Sequence, residues 1–289
     1  MSIKIINSLK ECVQDYDAFI MGINGVILNN DLSLENAIQT LRVLSRLEKT
    51  IVLFSNTPLR IRDVMKQLEI VNIPPSLYQI IITAGEEAYQ HLEDKADPFH
   101  ASLGSNCYFL GPTQEARFLN GLDIYRVPNI DEADFILTYG YNATADDRDG
   151  YKELLQKGLQ LKLPMVCINP NVIGIKNGRI EPRPGQVAAY YTQRGGRVFS
   201  HGKPNRPMYV KLFDELGHFE RKRMLIIGDS LDTDMKGAHM NHIDSLLLDS
   251  IVLHKELLIR QKSISLQEIS DILAKTLYHP TYLMSSLMF

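Results

Sequence analysis

Short, uniformly apolar runs alternating with helix-period segments constrain this chain most. Asp17 to Ile23, Ile51 to Phe54, Ile80 to Ile82 and Met224 to Ile227 have strand length and almost no polar face, the pattern of strands covered on both sides. Between them, Leu34, Ala37, Ile38, Leu41, Leu44 and Leu47 recur at helical spacing behind Ser33, a good N-cap. Ile61, Val64, Met65 and Leu68 do the same after Pro58. Buried strands joined by helices are parallel, because a parallel pair needs a crossover long enough to hold a helix. The expected fold class is therefore α/β, with a Rossmann-like core built on a parallel sheet.

From about Gly85 the same units recur in shorter form. Cys107 to Leu110, Asp134 to Tyr139 and Met165 to Ile168 read as strands, with helices near Glu115 and from Asp147 to Leu159. Glu181-Pro182-Arg183-Pro184-Gly185 continues neither a strand nor a helix and marks a return point. The reading is a core domain of residues 1–84 and 183–289, interrupted by an inserted α/β domain of residues 85–182. After the return come a helix through Tyr191, a strand at Arg197 to Phe199, a helix opened by Pro207 and the strand Met224 to Ile227. Ser265 and Glu268 form a capping box ahead of Ile269, Ile272 and Leu273.

Charge and leader patterns narrow the function. With 31 Lys and Arg against 34 Asp and Glu, the net charge of -3 offers no basic field for nucleic acid. Met1-Ser2-Ile3-Lys4 does not open a secretory leader and no apolar run reaches spanning length, so the expectation is a soluble cytoplasmic protein that engages no membrane. Cys12, Cys107 and Cys167 are odd in number and lack CxxC spacing, which fits reduced thiols filling the core.

Three loops at strand ends carry chemistry: Ser55-Asn56, His201-Gly202-Lys203-Pro204, and Gly228-Asp229-Ser230 with Asp234. In an open parallel sheet ligands bind beyond the carboxyl ends of strands, where Gly22 to Gly25 would join them. A hydroxyl, backbone N–H groups, an ammonium and two carboxylates suit a phosphate and a hard divalent cation. In order, Gly22-Ile23-Asn24-Gly25-Val26, Ser55-Asn56, Gly202-Lys203-Pro204 and Gly228-Asp229 through Thr233-Asp234 resemble the four motifs of the haloacid dehalogenase (HAD) superfamily, class IIA, the NagD-like and p-nitrophenylphosphatase-like group. The α/β insertion between the second and third motifs, the Pro184-Gly185 turn and the ending Pro280-Thr281-Tyr282-Leu283 are similar too.

The resemblance implies a magnesium-dependent phosphate-monoester hydrolase with roles assigned by position. Gly22 stands where the family has its nucleophilic aspartate, and Asn24 where it has the acid/base aspartate. Ser55 would bond the phosphoryl oxygens with Asn56 beside it. Lys203 would neutralise the phosphate, Asp229 would bind magnesium with Asp234 in support, and the backbone carbonyl of Asn24 would add a metal ligand. Asn169, in Asn169-Pro170-Asn171, corresponds to a substrate-facing cap loop or to a plain turn. The implied partner is a small phosphorylated metabolite, and the cap is implied as a homodimer surface.

Glycine supplies no nucleophile, and asparagine cannot cycle a proton near neutral pH. Losing a nucleophile from a concerted site costs on the order of a millionfold, roughly 8 kcal/mol of barrier stabilisation. Asp17 lies about 16 Å back along its strand and cannot substitute. Asp31, in the following loop, is a weak replacement, since a reacting group must be held to about half an ångström. Asp229, Asp234 and Lys203 sum to one negative charge where the family has three, so magnesium is expected to bind weakly, and Gly22 is expected to leave room beside a phosphate. Three readings stay open: a binding protein with little turnover, an active hydrolase with an unorthodox nucleophile, and a cap-mediated protein-interaction scaffold. His239 and His242 have HxxH spacing but no evident third ligand, so a helix-end role for His242 is simpler. His201, beside the lysine loop, reads as a ligand contact or, more simply, as an exposed loop residue.

Overall fold

The structure is a computed structural model and describes residues 3–28, 32–95, 97–140, 148–176, 179–257, 259 and 264–289. In chain order its strands are β1 (Lys4–Ile5), β2 (Ala18–Met21), β3 (Thr50–Ser55), β4 (Ile80–Thr83), β5 (Asn106–Leu110), β6 (Tyr125–Arg126) and β7 (Phe135–Thr138). They continue with β8 (Met165–Cys167), β9 (Ile173–Lys176), β10 (Arg179–Pro182), β11 (Val198–Ser200), β12 (Met224–Gly228), β13 (Asp244–Leu248) and β14 (Tyr282–Met284). The chain divides into two compact units, one of Met1–Ser55, Ile61–Ile82 and Lys203–Phe289, the other of Asn56–Arg60 and Thr83–Gly202.

The first unit is built on a seven-stranded sheet in the order β1-β14-β13-β12-β2-β3-β4. The pairs from β1 through β3 are parallel. Every residue of β2 and β12 is buried, because these central strands are covered on both faces. On one face Ala18, Ile20, Val52, Phe54 and Ile226 pack against Met208, Tyr209, Leu212 and Leu216 of the helix Arg206–Leu216. Fully burying one such aliphatic side chain contributes about 1.5–3 kcal/mol. At the amino edge Asp17 accepts from Arg223 at 2.8 Å and lies 3.5 Å from Lys49, away from the opposite edge, as its distance along the strand requires. The helix Leu32–Arg46 starts ahead of Ser33, which is therefore inside the helix and not its cap. The Ser265–Glu268 capping box is formed, and Ile269 and Leu273 are buried behind it.

The second unit holds a five-stranded sheet in the order β11-β8-β7-β5-β6, parallel throughout, and an antiparallel β9–β10 hairpin. Its end differs from the expected boundary at residue 182. β11 pairs with β8, while Val187, Ala188 and Tyr191 of the helix Pro184–Gln193 pack with Ile136, Met165 and Cys167. Residues 183–202 therefore belong with the insertion: the Pro184-Gly185 turn opens another helix of this unit before the chain re-enters the core.

Cys12, Cys107 and Cys167 are free and buried, in keeping with core filling. Among the described residues no helix is long and apolar enough to cross a membrane.

Candidate functional site

In the first unit β12, β2 and β3 are adjacent and parallel, so their carboxyl ends share one edge. Register pairs Met21 with both Ile227 and Leu53. Gly22 therefore lies level with Gly228 and Phe54, and its N–H donates to the Ile227 carbonyl at 2.9 Å. Ser55 ends β3 and is buried, and Asp229 follows the last residue of β12. Residues 22–28 then turn sharply: Ile27 and Leu28 N–H donate to the Ile23 carbonyl and Gly25 N–H to that of Leu28. Gly25 has φ +83°, and a Cβ there would lie 2.0 Å from Asp229 Oδ2. Only glycine lets the turn and this carboxylate pack so closely.

Gly22 is crowded on one side by hydrocarbon. A Cβ on Gly22 would lie 2.9 Å from Val26 Cγ2, and Val26 is buried, so the side of Gly22 that faces Val26 does not offer the room the sequence promised. Asn24 is exposed, and its backbone forms a bridge with Leu28.

Lys203 is the buried cation of this edge. Its Nζ donates to the Phe54 carbonyl at 2.8 Å and to Asp234 Oδ1 at 2.6 Å, with both side chains nearly inaccessible. Since Phe54 is level with Gly22, the ammonium is tethered at the height of Gly22. Asp234 sits on the π-helical turn Leu231–Met235, and its other oxygen accepts the Asp229 N–H at 3.2 Å. Burial, then the charge of Asp234, raises the Asp229 pKa, with Lys203 pulling the other way.

Glu256, absent from the sequence reading, holds the same loop. It accepts the Ser230 hydroxyl at 2.5 Å and the Leu231 N–H at 2.6 Å, and burial pushes its pKa up to about 7. Ser250 donates to the Asp229 carbonyl at 2.9 Å. Both residues follow β13, a strand the sequence reading passed over, and nothing in their spacing from Asp229 marks them.

These groups fit a magnesium ion. The Asp229 carboxyl, crowded by Asp234 and partly withdrawn from water, becomes easier to ionise beside a divalent cation. Asp229 and the Asn24 carbonyl are hard oxygen donors, and magnesium is usually held by one or two carboxylates plus water and substrate phosphate. Asp234 is engaged by Lys203 and the Asp229 N–H, which leaves it a supporting role.

Asn56 and Asn169 lie in the second unit and meet through Asn171. Asn56 Nδ2 donates to Asn171 Oδ1 at 2.6 Å, and Asn171 N–H donates to Asn169 Oδ1 at 3.0 Å. His201 is fully buried there, contrary to its reading as an exposed loop residue, because β11 carries it into the unit's interior. His239 packs on Tyr278, and His242 has φ +56° just past the helix Lys236–Met240, a helix-end conformation. Among the described residues neither lies in a group of three side chains close enough to share a metal ion. Asp31 lies outside the described residues.

Residues 19–125 match the family model described as haloacid dehalogenase-like hydrolase, and residues 200–275 match the model described as HAD-hydrolase-like. No curated protein sequence matches the chain. A haloacid dehalogenase-like hydrolase from Brucella suis 1330 is similar in structure, with TM-score 0.79 and 24% identity over 98% of this chain and 100% of that one. A possible sugar phosphatase from Cytophaga hutchinsonii aligns with TM-score 0.73 and 20% identity over 99% and 98%. Glycerol phosphate phosphatase from Mycobacterium tuberculosis, in complex with calcium, aligns with TM-score 0.62 and 17% identity over 95% of this chain and 74% of that one. With both models falling on the stretches that carry the strand-edge motifs, the chain belongs to the haloacid dehalogenase-like hydrolase family.

Proposed function

We propose that this chain is a class IIA-type protein whose first unit binds the phosphate group of a small phosphorylated metabolite and turns it over slowly or not at all. The observation that carries the reading is Lys203, held level with Gly22 by the Phe54 carbonyl and Asp234 where the nucleophilic carboxylate is missing. An ammonium fixed at that height attracts a phosphate oxygen, and the Ser55 hydroxyl at the end of the same strand adds a neutral donor. Asp229 and the Asn24 carbonyl would hold magnesium, which would supply charge neutralisation to the phosphate. The Asn24 amide can bond a leaving-group oxygen but cannot exchange a proton with it. Gly22 gives phosphorus nothing to attack it. The possible sugar phosphatase and the glycerol phosphate phosphatase among the structural neighbours support a phosphorylated metabolite as the ligand class. Exposed Val172 and Ile180, beside and within the β9–β10 hairpin, support a dimer surface on the second unit.

Calorimetry with a panel of sugar phosphates and nucleotides, with and without magnesium, tests the reading. Binding that disappears in Lys203→Met, with phosphate release at background level, is the expected result. No affinity for any member of the panel, or ordinary phosphatase turnover by the wild type, overturns it.

A further inference from the structure

The second unit contains a histidine cluster that the phosphate reading does not use. His91 lies on the helix Ala84–Asp94, Asp97 caps the short helix Pro98–Ala101 that carries His100, and His201 follows β11. His91 Nδ1 is 2.9 Å and His100 Nδ1 2.5 Å from Asp97 Oδ2. His100 Nε2 is 3.2 Å from His201 Nε2, and His201 Nδ1 is 2.9 Å from Glu87 Oε2. His91 Nε2 lies 3.2 Å from Glu87 Oε1. His100 and His201 are fully buried and Glu87 is 5% exposed, while the His91 and Asp97 side chains keep 28% and 26% exposure.

Counting donors shows what the cluster lacks. A neutral imidazole has one N–H and one lone pair, and a carboxylate only accepts. Five contacts, those of His91 Nδ1 and His100 Nδ1 with Asp97, of His91 Nε2 and His201 Nδ1 with Glu87, and of His100 Nε2 with His201 Nε2, each want a proton between the two atoms, and three neutral imidazoles carry only three. The network is two positive charges short whichever tautomers it adopts. With the protons on His91 Nε2, His100 Nε2 and His201 Nδ1, two lone pairs and the Asp97 oxygen converge. Glu87 Oε1 adds a second sign of incompleteness: it is buried and, among the described residues, makes no well-directed hydrogen bond.

We propose that His91 Nδ1, Asp97 Oδ2 and His100 Nδ1 bind a zinc-type divalent ion. One ligand atom from each of the three residues lies within 4.8 Å of the others, and tetrahedral zinc with bonds of about 2.0–2.1 Å wants its ligands about 3.3 Å apart, a small opening of the present Nδ1–Oδ2 contacts. Two imidazoles and one carboxylate select zinc or a neighbouring transition ion over magnesium. The distal nitrogen of each histidine ligand already faces a carboxylate, His91 Nε2 at 3.2 Å from Glu87 Oε1 and His100 Nε2 through His201, the outer-shell arrangement that fixes tautomer and ring orientation at metal sites. The ion's two positive charges match Asp97 and Glu87, with all three histidines neutral. Partial exposure of His91 and Asp97 gives the ion a way in and leaves a fourth position for water. This site is independent of the phosphate reading and joins the end of one helix to the start of the next.

The test is titration of tag-free, chelator-stripped protein with zinc chloride at pH 7.5 by calorimetry, in the wild type, His91→Gln, Asp97→Asn and Asp229→Asn, with circular dichroism to check folding. One equivalent of zinc in the wild type and in Asp229→Asn, weakened at least about tenfold in His91→Gln and Asp97→Asn, is expected. Cobalt in place of zinc should give wild-type protein the visible absorption of a tetrahedral ion, a readout that stands even where a ligand variant fails to fold. Absence of zinc binding and of the cobalt bands, or undiminished binding by folded His91→Gln, overturns the proposal.

Discussion

Adding a side chain at residue 22 tests both the packing and the chemistry of the strand edge. Gly22→Ala places a Cβ 2.9 Å from Val26 Cγ2, 3.6 Å from Val26 Cβ and 3.8 Å from the Ile227 carbonyl. Only the first contact is prohibitive, but Val26 is buried and its β-branched side chain has little χ1 freedom. Overpacking of this sort costs about 1–3 kcal/mol, offset by about 0.4–1 kcal/mol from the stiffer unfolded chain. A net loss of about 1–2 kcal/mol lowers the melting temperature by roughly 2–8 °C in a chain of this size. Gly22→Asp adds a negative charge near Asp229 and Asp234, so its further loss should shrink when millimolar magnesium is added. Scanning calorimetry reads both effects. Turnover of p-nitrophenyl phosphate should be at background in the wild type and in Gly22→Ala, and should rise only when Gly22→Asp is combined with Asn24→Asp. A Gly22→Ala protein that melts at or above the wild-type temperature would falsify the packing argument. Wild-type turnover equal to that of the double variant would remove the catalytic one.

Lys203→Met should cost about 3–5 kcal/mol in denaturant unfolding, because it strands the buried Asp234 carboxylate; Lys203→Met with Asp234→Leu should recover much of it, and a double variant no better than the single refutes the pairing. Gly25→Ala combines a left-handed φ with overlap on Asp229, and should lose about 2 kcal/mol or more together with any magnesium response. Glu256 titrates near pH 7 when folded against about 4.5 as a free side chain. Its contribution is thus fully present below about 4.5 and lost as pH rises through about 7, so the stability difference between wild type and Glu256→Gln, measured at pH 5 and pH 8, should move toward the glutamine variant at the higher pH.

The parallel core could be read from sequence because its central strands are buried on both faces and announce themselves as unbroken apolar runs; β2, β3 and β12 fall within a residue or two of expectation. β13 ran through Leu246, Leu247 and Leu248 with the same signature and was passed over. The boundary at 182 failed for a different reason: Pro184-Gly185 correctly marks a turn, but a turn does not say which sheet the next strand joins, and β11 pairs with β8. The motif residues were legible since each lies at the end of a strand or in the loop that follows it. What Val26 does to Gly22 was not, because the closeness of a methyl group depends on how residues 22–28 turn. His91, Asp97 and His100 span only ten positions but form no familiar ligand spacing, and the partner that completes their network was out of reach: His201 lies 114 positions from Glu87 and 101 from His100.

The segmented make-up of the first unit has a consequence for synthesis. β2 and β3 leave the ribosome early, yet β12, which pairs with the other side of β2, is made only after the whole of the second unit. Through that interval Ala18–Met21, four side chains that are all buried in the finished sheet, presents an unpaired apolar edge, the kind of surface that recruits strands from other chains. The long stretch 83–202 can meanwhile complete its own five strands. The hazard of aggregation is therefore concentrated in one nascent interval, and it ends when Met224–Gly228 emerges to cover that edge.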